Sequence, residues 1–146
     1  MSRVVEILER KGRRVHTIDA HATVYEAIRK MVDENVGSLI VMNGDSIAGI
    51  FTERDYLRRI ALEGRTSKNT RVVEVATERL VVVEPSRAIE DCMALMTRER
   101  IRHLPVIDAG RIAGIVSIGD LVKFMAADRE AEIRHLTDYI TGRYPG

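Results

Sequence analysis

The chain is poor in the residues that announce special chemistry. Its single cysteine, Cys92, excludes an internal disulfide framework, and no paired Cys and His stand at the spacing a zinc ion requires. Only three prolines occur in 146 residues, and Ser and Gln are not in excess, so nothing suggests a disordered polypeptide. No run approaches the roughly 20 apolar residues that span a bilayer, and Met1 to Glu6 lacks a signal peptide's continuous apolar stretch. A reducing, cytoplasmic setting without membrane contact is therefore expected. Charge of one sign is also missing: 23 Lys and Arg face 22 Asp and Glu. No global field draws nucleic acid, which is not expected as a partner, and any anion site must be local. A Walker-type Gly-Lys loop is absent, and no metal-holding carboxylate cluster or positioned base stands out. Cys92 lies on the apolar face of a helical pattern, which suits a core thiol and not a nucleophile. The chain is accordingly expected not to be an enzyme, and no catalytic cofactor or metal is assigned.

What is present is an ordinary globular composition, 45% hydrophobic and 31% charged. A chain of this length fits one compact domain or two small packed halves, and buries roughly two-thirds of its unfolded surface. The pattern within it is a duplication. Slid on itself by 65 residues, the sequence matches without a gap from about Ile18–Leu57 onto Val83–Val122. Ile47-Ala48-Gly49-Ile50 recurs as Ile112-Ala113-Gly114-Ile115, and Asp55 recurs as Asp120. A second echo, Arg3-Val4-Val5-Glu6 against Arg71-Val72-Val73-Glu74, sits at an offset of 68 and implies about three extra residues around Lys11 to Arg14. Each copy thus has a lead-in helix. The expected division is a first repeat with its lead-in over 1–65, a second repeat over 66–127, and a C-terminal helix and tail over 128–146.

Periodicity changes along each copy. Val15 to Ile18 and Val81 to Val83 are short β-branched runs and predict strands. Val24, Ala27, Ile28, Met31 and Val32 fall on one helical face behind a Thr23–Glu26 capping box; Ile89, Cys92, Met93 and Met96 repeat it. Apolar runs Ser38 to Met42 and Ile47 to Phe51 flank Asn43-Gly44-Asp45, a hairpin signal matched by Asp108-Ala109-Gly110. Closing helices start at Thr52, running to near Gly64, and at Ser117. The order β-α-β-β-α, twice over, predicts an α/β (α+β) fold with small mixed sheets packed on helices and pseudo-twofold symmetry. Ile133, Leu136 and Ile140 form an apolar stripe on the last helix.

Both closing helices begin with Gly-apolar-x-[Ser/Thr]-x-x-Asp: Gly49-Ile50-Phe51-Thr52-Glu53-Arg54-Asp55, and Gly114-Ile115-Val116-Ser117-Ile118-Gly119-Asp120. Ser or Thr followed three residues later by Asp is an ordinary helix cap, stabilising by about 1 kcal/mol with no ligand. The same helix start, with free N–H groups and the positive dipole end, also suits an anion, and a carboxylate one turn in can accept two hydrogen bonds from a ribose diol. With the duplication and the element order, these segments resemble the CBS-domain family, as do Thr52 to Tyr56 (T-E-R-D-Y) and Arg100 to Val106 (R-I-R-H-L-P-V). The resemblance covers nearly the whole chain and is nearest to small stand-alone CBS-pair proteins.

That resemblance implies a module binding adenosyl ligands in clefts between the halves, with Thr52 and Ser117 on phosphate and Asp55 and Asp120 on ribose. It also places Arg102, and less firmly His103, on phosphates, although His103 could equally be a structural histidine. Adenine contacts are implied for Thr17, Ile18, Ser38 and Leu39, with Val83 and Leu104 opposite, while most side chains of those strands read as core. Arg54, where the second copy has Gly119, would add a charge-assisted phosphate contact; alone it would read as a solvated helix side chain. Arg58 and Arg59 read as surface charges, and His21 and His135 are assigned no function. The expected ligand is AMP, ADP, ATP or NAD, with S-adenosylmethionine behind them. The expected role is regulatory, acting on a separate, unidentified protein, and the expected assembly is a homodimer. A redox-linked protein-interaction module is the alternative, since relatives of this type in plant organelles are associated with thioredoxin regulation, and a nucleotide-processing enzyme stands behind it.

Overall fold

The computed structural model describes residues 2–140, the side chains of residues 131, 132 and 135–140 excepted. The chain forms two compact units. One is a continuous stretch, Arg14–Val82; the other joins the residues up to Arg13 to those from Val83 onward. The spatial units therefore differ from the contiguous division at residue 65: each lead-in leaves its own repeat and packs in the unit of the other.

In the first-repeat unit, β1 (Thr17–Asp19) pairs in parallel with β2 (Ser38–Asn43), and β2 pairs antiparallel with β3 (Ser46–Thr52). Between them runs α2 (Val24–Glu34), capped as the sequence requires: Glu26 N–H donates to Thr23 Oγ1 at 3.1 Å and Thr23 N–H to Glu26 Oε2 at 3.3 Å. Val24, Ala27 and Met31 of α2 meet Leu39, Val41 and Phe51 of the sheet in the core, joined by Val72 and Val75 from α4 (Val72–Val75). Val32, expected on the same face, is 72% exposed. The closing helix also departs from a uniform α-helix. After a single turn, α3 (Glu53–Asp55), the residues Tyr56–Ala61 form a π-helix, with Leu62 N–H donating to Leu57 O and Arg65 N–H to Ile60 O, each at 3.1 Å and five residues apart.

In the second-repeat unit, β4 (His103–Asp108) and β5 (Arg111–Ser117) form the hairpin. The register slips at Val106/Ile107, as it does at Val41/Met42 in the first, so the duplication extends to the bulges. The buried faces of α5 (Ile89–Glu99) and α6 (Ile118–Ile140) supply Ile89, Cys92, Met96, Leu121 and Phe124. The lead-in α1 (Val4–Lys11) buries Val4, Ile7 and Leu8 and packs on β5 and α6. The strand expected at Val81 to Val83 reduces to one parallel bridge, Val83 with Val106. Pro105 explains this. In the first repeat the matching Ile40 N–H donates to His16 O at 3.0 Å, whereas proline has no N–H to give.

Ile133 is 58% exposed; Leu136 and Ile140, which would complete its stripe, and His135 lie outside the described side chains. Among the described residues no helix is long and apolar enough to cross a membrane, and no group of His, Cys, Asp and Glu is placed to hold a metal ion.

Candidate functional site

The sheet of each unit delivers a hydroxyl to the start of the closing helix. In the first-repeat unit Thr52 ends β3 opposite Ser38 and caps α3. Asp55 N–H donates to Thr52 Oγ1 at 3.2 Å, and Asp55 Oδ2 accepts from Thr52 N–H at 2.9 Å and from the Thr52 hydroxyl at 3.1 Å. The other carboxylate oxygen, Oδ1, accepts from the Thr77 hydroxyl at 3.0 Å.

The second-repeat unit repeats the arrangement with one change of charge. Ser117 ends β5 opposite His103; its N–H donates to Asp120 Oδ2 at 2.8 Å, and its Oγ accepts from Asp120 N–H at 3.1 Å. Where the first unit has Thr77, this one has Lys11, whose Nζ lies 2.6 Å from Asp120 Oδ2 and 2.9 Å from Ile115 O. Burial by itself would raise the Asp120 carboxyl; hydrogen bonds from Lys11 and Ser117, with the Lys11 charge, outweigh it and hold its pKa below the ordinary carboxylate value.

These helix starts offer fewer open N–H groups than the sequence suggests. Glu53 N–H is taken by Gly37 O at 3.2 Å and Ile118 N–H by Arg102 O at 2.8 Å, in addition to the capping bonds. Those same bonds draw the residue ahead of β2 or β4 to the helix start. Arg102 is thereby brought beside Ser117 with an exposed side chain, and His103 is half-buried across the strand pair from Ser117. Thr52, Asp55, Ser117 and Asp120 are all half-buried.

The residues expected around adenine divide. Thr17 and Ile18 are half-buried on β1, and Ser38 keeps 6% of its surface. Leu39 and Leu104 are wholly buried and Val83 is 3% exposed; these three sit in the core and have no appreciable surface to present to a ligand. Arg54 is exposed on α3, and at Gly119 a Cβ would meet only Ser117 Oγ at an ordinary 3.6 Å, so space does not demand glycine there. Sequence reasoning missed Lys11 and Thr77. Lys11 falls in the stretch flagged as extra in the first copy, which was the available signal, whereas nothing marked Thr77.

Two repeats of a helix, a hairpin and a closing helix, the first with an additional parallel strand, each bring a hydroxyl and an acid together at one helix start. A model of the CBS domain matches residues 4–62 and again 72–127. The mitochondrial CBS domain-containing protein CBSX3 of Arabidopsis thaliana is 44% identical over 127 residues, 84% of this chain and 62% of that protein, so the chain spans less than two-thirds of that relative's length. A solved CBS-domain structure from Burkholderia ambifaria shares 49% identity with a TM-score of 0.85, covering 87% of this chain and 96% of that one. The hexameric CBS-CP12 protein of bloom-forming cyanobacteria shares 31% with a TM-score of 0.74, covering 84% of this chain and 70% of its own. The chain belongs to the CBS-domain family and carries a tandem pair of CBS repeats. Such pairs are generally regulatory modules that bind adenosine ligands, and members assemble into oligomers.

Proposed function

We propose that this chain is an adenine-nucleotide sensor without catalytic activity of its own. The observation that carries the reading is the hydroxyl-and-acid helix start, built twice at equivalent positions and half-buried both times. Asp55 and Asp120 would accept the ribose diol; Thr52 and Ser117, with Arg54 in the first repeat and Arg102 and His103 in the second, would face phosphate. Thr17, Ile18 and Ser38 would border adenine. AMP, ADP, ATP and NAD share these features, whereas the positive charge of S-adenosylmethionine gains nothing from the arginines. Ligand would change the conformation presented to a separate regulated protein, since binding shifts an equilibrium only through differential affinity for its states.

A thiol switch in this chain is disfavoured: burial of Cys92 pushes its pKa up to about 11, with the Asp91 charge adding to the rise and Arg87 opposing it. A redox link would have to reside in the partner. The buried thiol fits a reducing compartment such as the cytoplasm, although the Arabidopsis relative is mitochondrial.

The test is isothermal titration of AMP, ATP, NAD and S-adenosylmethionine into the protein and into Asp55→Ala and Asp120→Ala. Each acid lost removes charge-assisted hydrogen bonds and is expected to weaken or abolish one site by about tenfold or more. Binding of every ligand as in the parent by both variants would reject the assignment.

Ile28, Met31, Val32, Tyr56 and Leu57 line an apolar groove of about 410 Å³ beside α2, and Val32 and Leu57 are 72% and 58% exposed. We read this face as a homodimer surface. Sedimentation should show a dimer that Leu57→Arg converts to monomer; a monomeric parent protein would remove the reading.

A further inference from the structure

Both site acids are held by residues from lead-in segments. Thr77 precedes the point near Val82 where the chain leaves the first-repeat unit, and Lys11 precedes the point near Arg13 where it leaves the second. The two ties differ in strength. Thr77 offers Asp55 a neutral hydroxyl on a carboxylate oxygen separate from the capping bonds. Lys11 places a full charge at 2.6 Å on the oxygen of Asp120 that also takes the cap, and anchors itself a second time on Ile115 O. A charge-assisted bond of this kind is about twice as strong as a neutral one.

We propose that Lys11 is a latch on the second-repeat nucleotide site: in the free protein it occupies Asp120, and the ribose of an adenine nucleotide must displace it to bind. The inference rests on the proposed function of Asp120 and adds the regulation of that site. Its physical content is competition. A ribose diol that engages both carboxylate oxygens needs Oδ2, where the lysine ammonium already sits beside the capping bond, so the affinity of the second site is lowered by the stability of the ion pair. Displacement has a structural consequence as well. Lys11 is the last residue of α1, Gly12 closes the helix by donating its N–H to Leu8 O at 2.8 Å, and the chain then runs directly into the other unit. Releasing Lys11 loosens the segment that joins the units, so occupancy at Asp120 is reported to the connection. The first-repeat site, tied only by a hydroxyl, lacks this threshold.

The test uses the full chain with the first site silenced by Asp55→Ala, comparing AMP binding with and without Lys11→Met. Lys11 is 37% exposed and its partner 24%. A pair this open is worth little, so its removal should tighten AMP binding about three- to fivefold. Lys11→Gln keeps a polar group of similar reach without charge and should give a smaller gain in the same direction; it also serves if Lys11→Met loses the fold. Unchanged or weaker binding in both variants would overturn the latch while leaving the site assignment intact. Failure of AMP to bind Asp55→Ala with either residue at position 11 would instead overturn the second-repeat site itself, and the latch with it. Amide exchange at residues 10–14 should quicken on AMP addition in the Asp55→Ala protein and stay constant if no latch opens.

Discussion

Gly49 and Gly114 hold equivalent places in the two repeats and are excluded from alanine for different reasons. A Cβ at Gly49 would stand 2.4 Å from the carbonyl oxygen of Thr77, which bridges Ile50 through bonds of 2.9 Å in both directions. At Gly114 the obstacle is the end of the Leu8 side chain, 2.7 Å away. Backbone in a ladder cannot retreat, but a leucine can change rotamer. Gly49→Ala is therefore expected to destabilise by about 3 kcal/mol and Gly114→Ala by about 1 kcal/mol. Thermal or urea unfolding reads the difference, and equal losses would contradict the account. The sequence marked both glycines as parts of a repeated motif. It could not show why, because the crowding residues, Thr77 and Leu8, lie in lead-ins whose docking sites are distant in the chain. The same ignorance hid Lys11 and Thr77 as partners of the site acids. Thr52, Asp55, Ser117 and Asp120 were legible because their spacing and recurrence are local properties.

Strands, hairpins and helix starts followed from periodicity and turn residues, since each is decided within a few positions. Three features resisted. The missing third strand of the second sheet depends on a proline in the neighbouring strand, Pro105, and not on the β-branched run at Val81 to Val83 itself. The π-turn after Asp55 has no counterpart in the equivalent part of α6, and the sequence gives no distinct signal for it. The exchange of lead-ins escaped because an amphipathic helix advertises an apolar face without naming the surface that covers it. Arg3 donates to Ser86 O, ahead of α5, and Arg71 to His21 O, ahead of α2, so each Arg-Val-Val-Glu segment docks ahead of the equivalent helix of the other repeat. A consequence separates the two divisions of the chain. A fragment of residues 14–82 holds a whole unit, including α4, and should unfold cooperatively with protected amides in β2 and β3. A fragment of residues 1–65 carries α1 without its docking surface and lacks α4, and should show little protection. Greater protection in 1–65 would refute the exchange.

The molecule as a whole is one architecture used twice with different chemistry at matching points. Arg54 corresponds to Gly119 in the repeat alignment, Gly37 corresponds to Arg102, and Thr77 does for Asp55 what Lys11 does for Asp120. Such asymmetry suits a sensor whose two sites fill at different ligand concentrations, because a tie of higher charge raises the concentration needed to displace it. The central claim is that both hydroxyl-and-acid helix starts face an adenine nucleotide. Its most direct test is a proton–nitrogen NMR titration of the full chain with AMP. The account predicts that the largest amide shifts fall on Thr52 to Asp55 and Ser117 to Asp120, with smaller ones at Thr17, Ile18, Ser38, Arg102 and His103. Saturating AMP, ATP and NAD that each leave those amides unmoved, or that move only residues elsewhere, would contradict it.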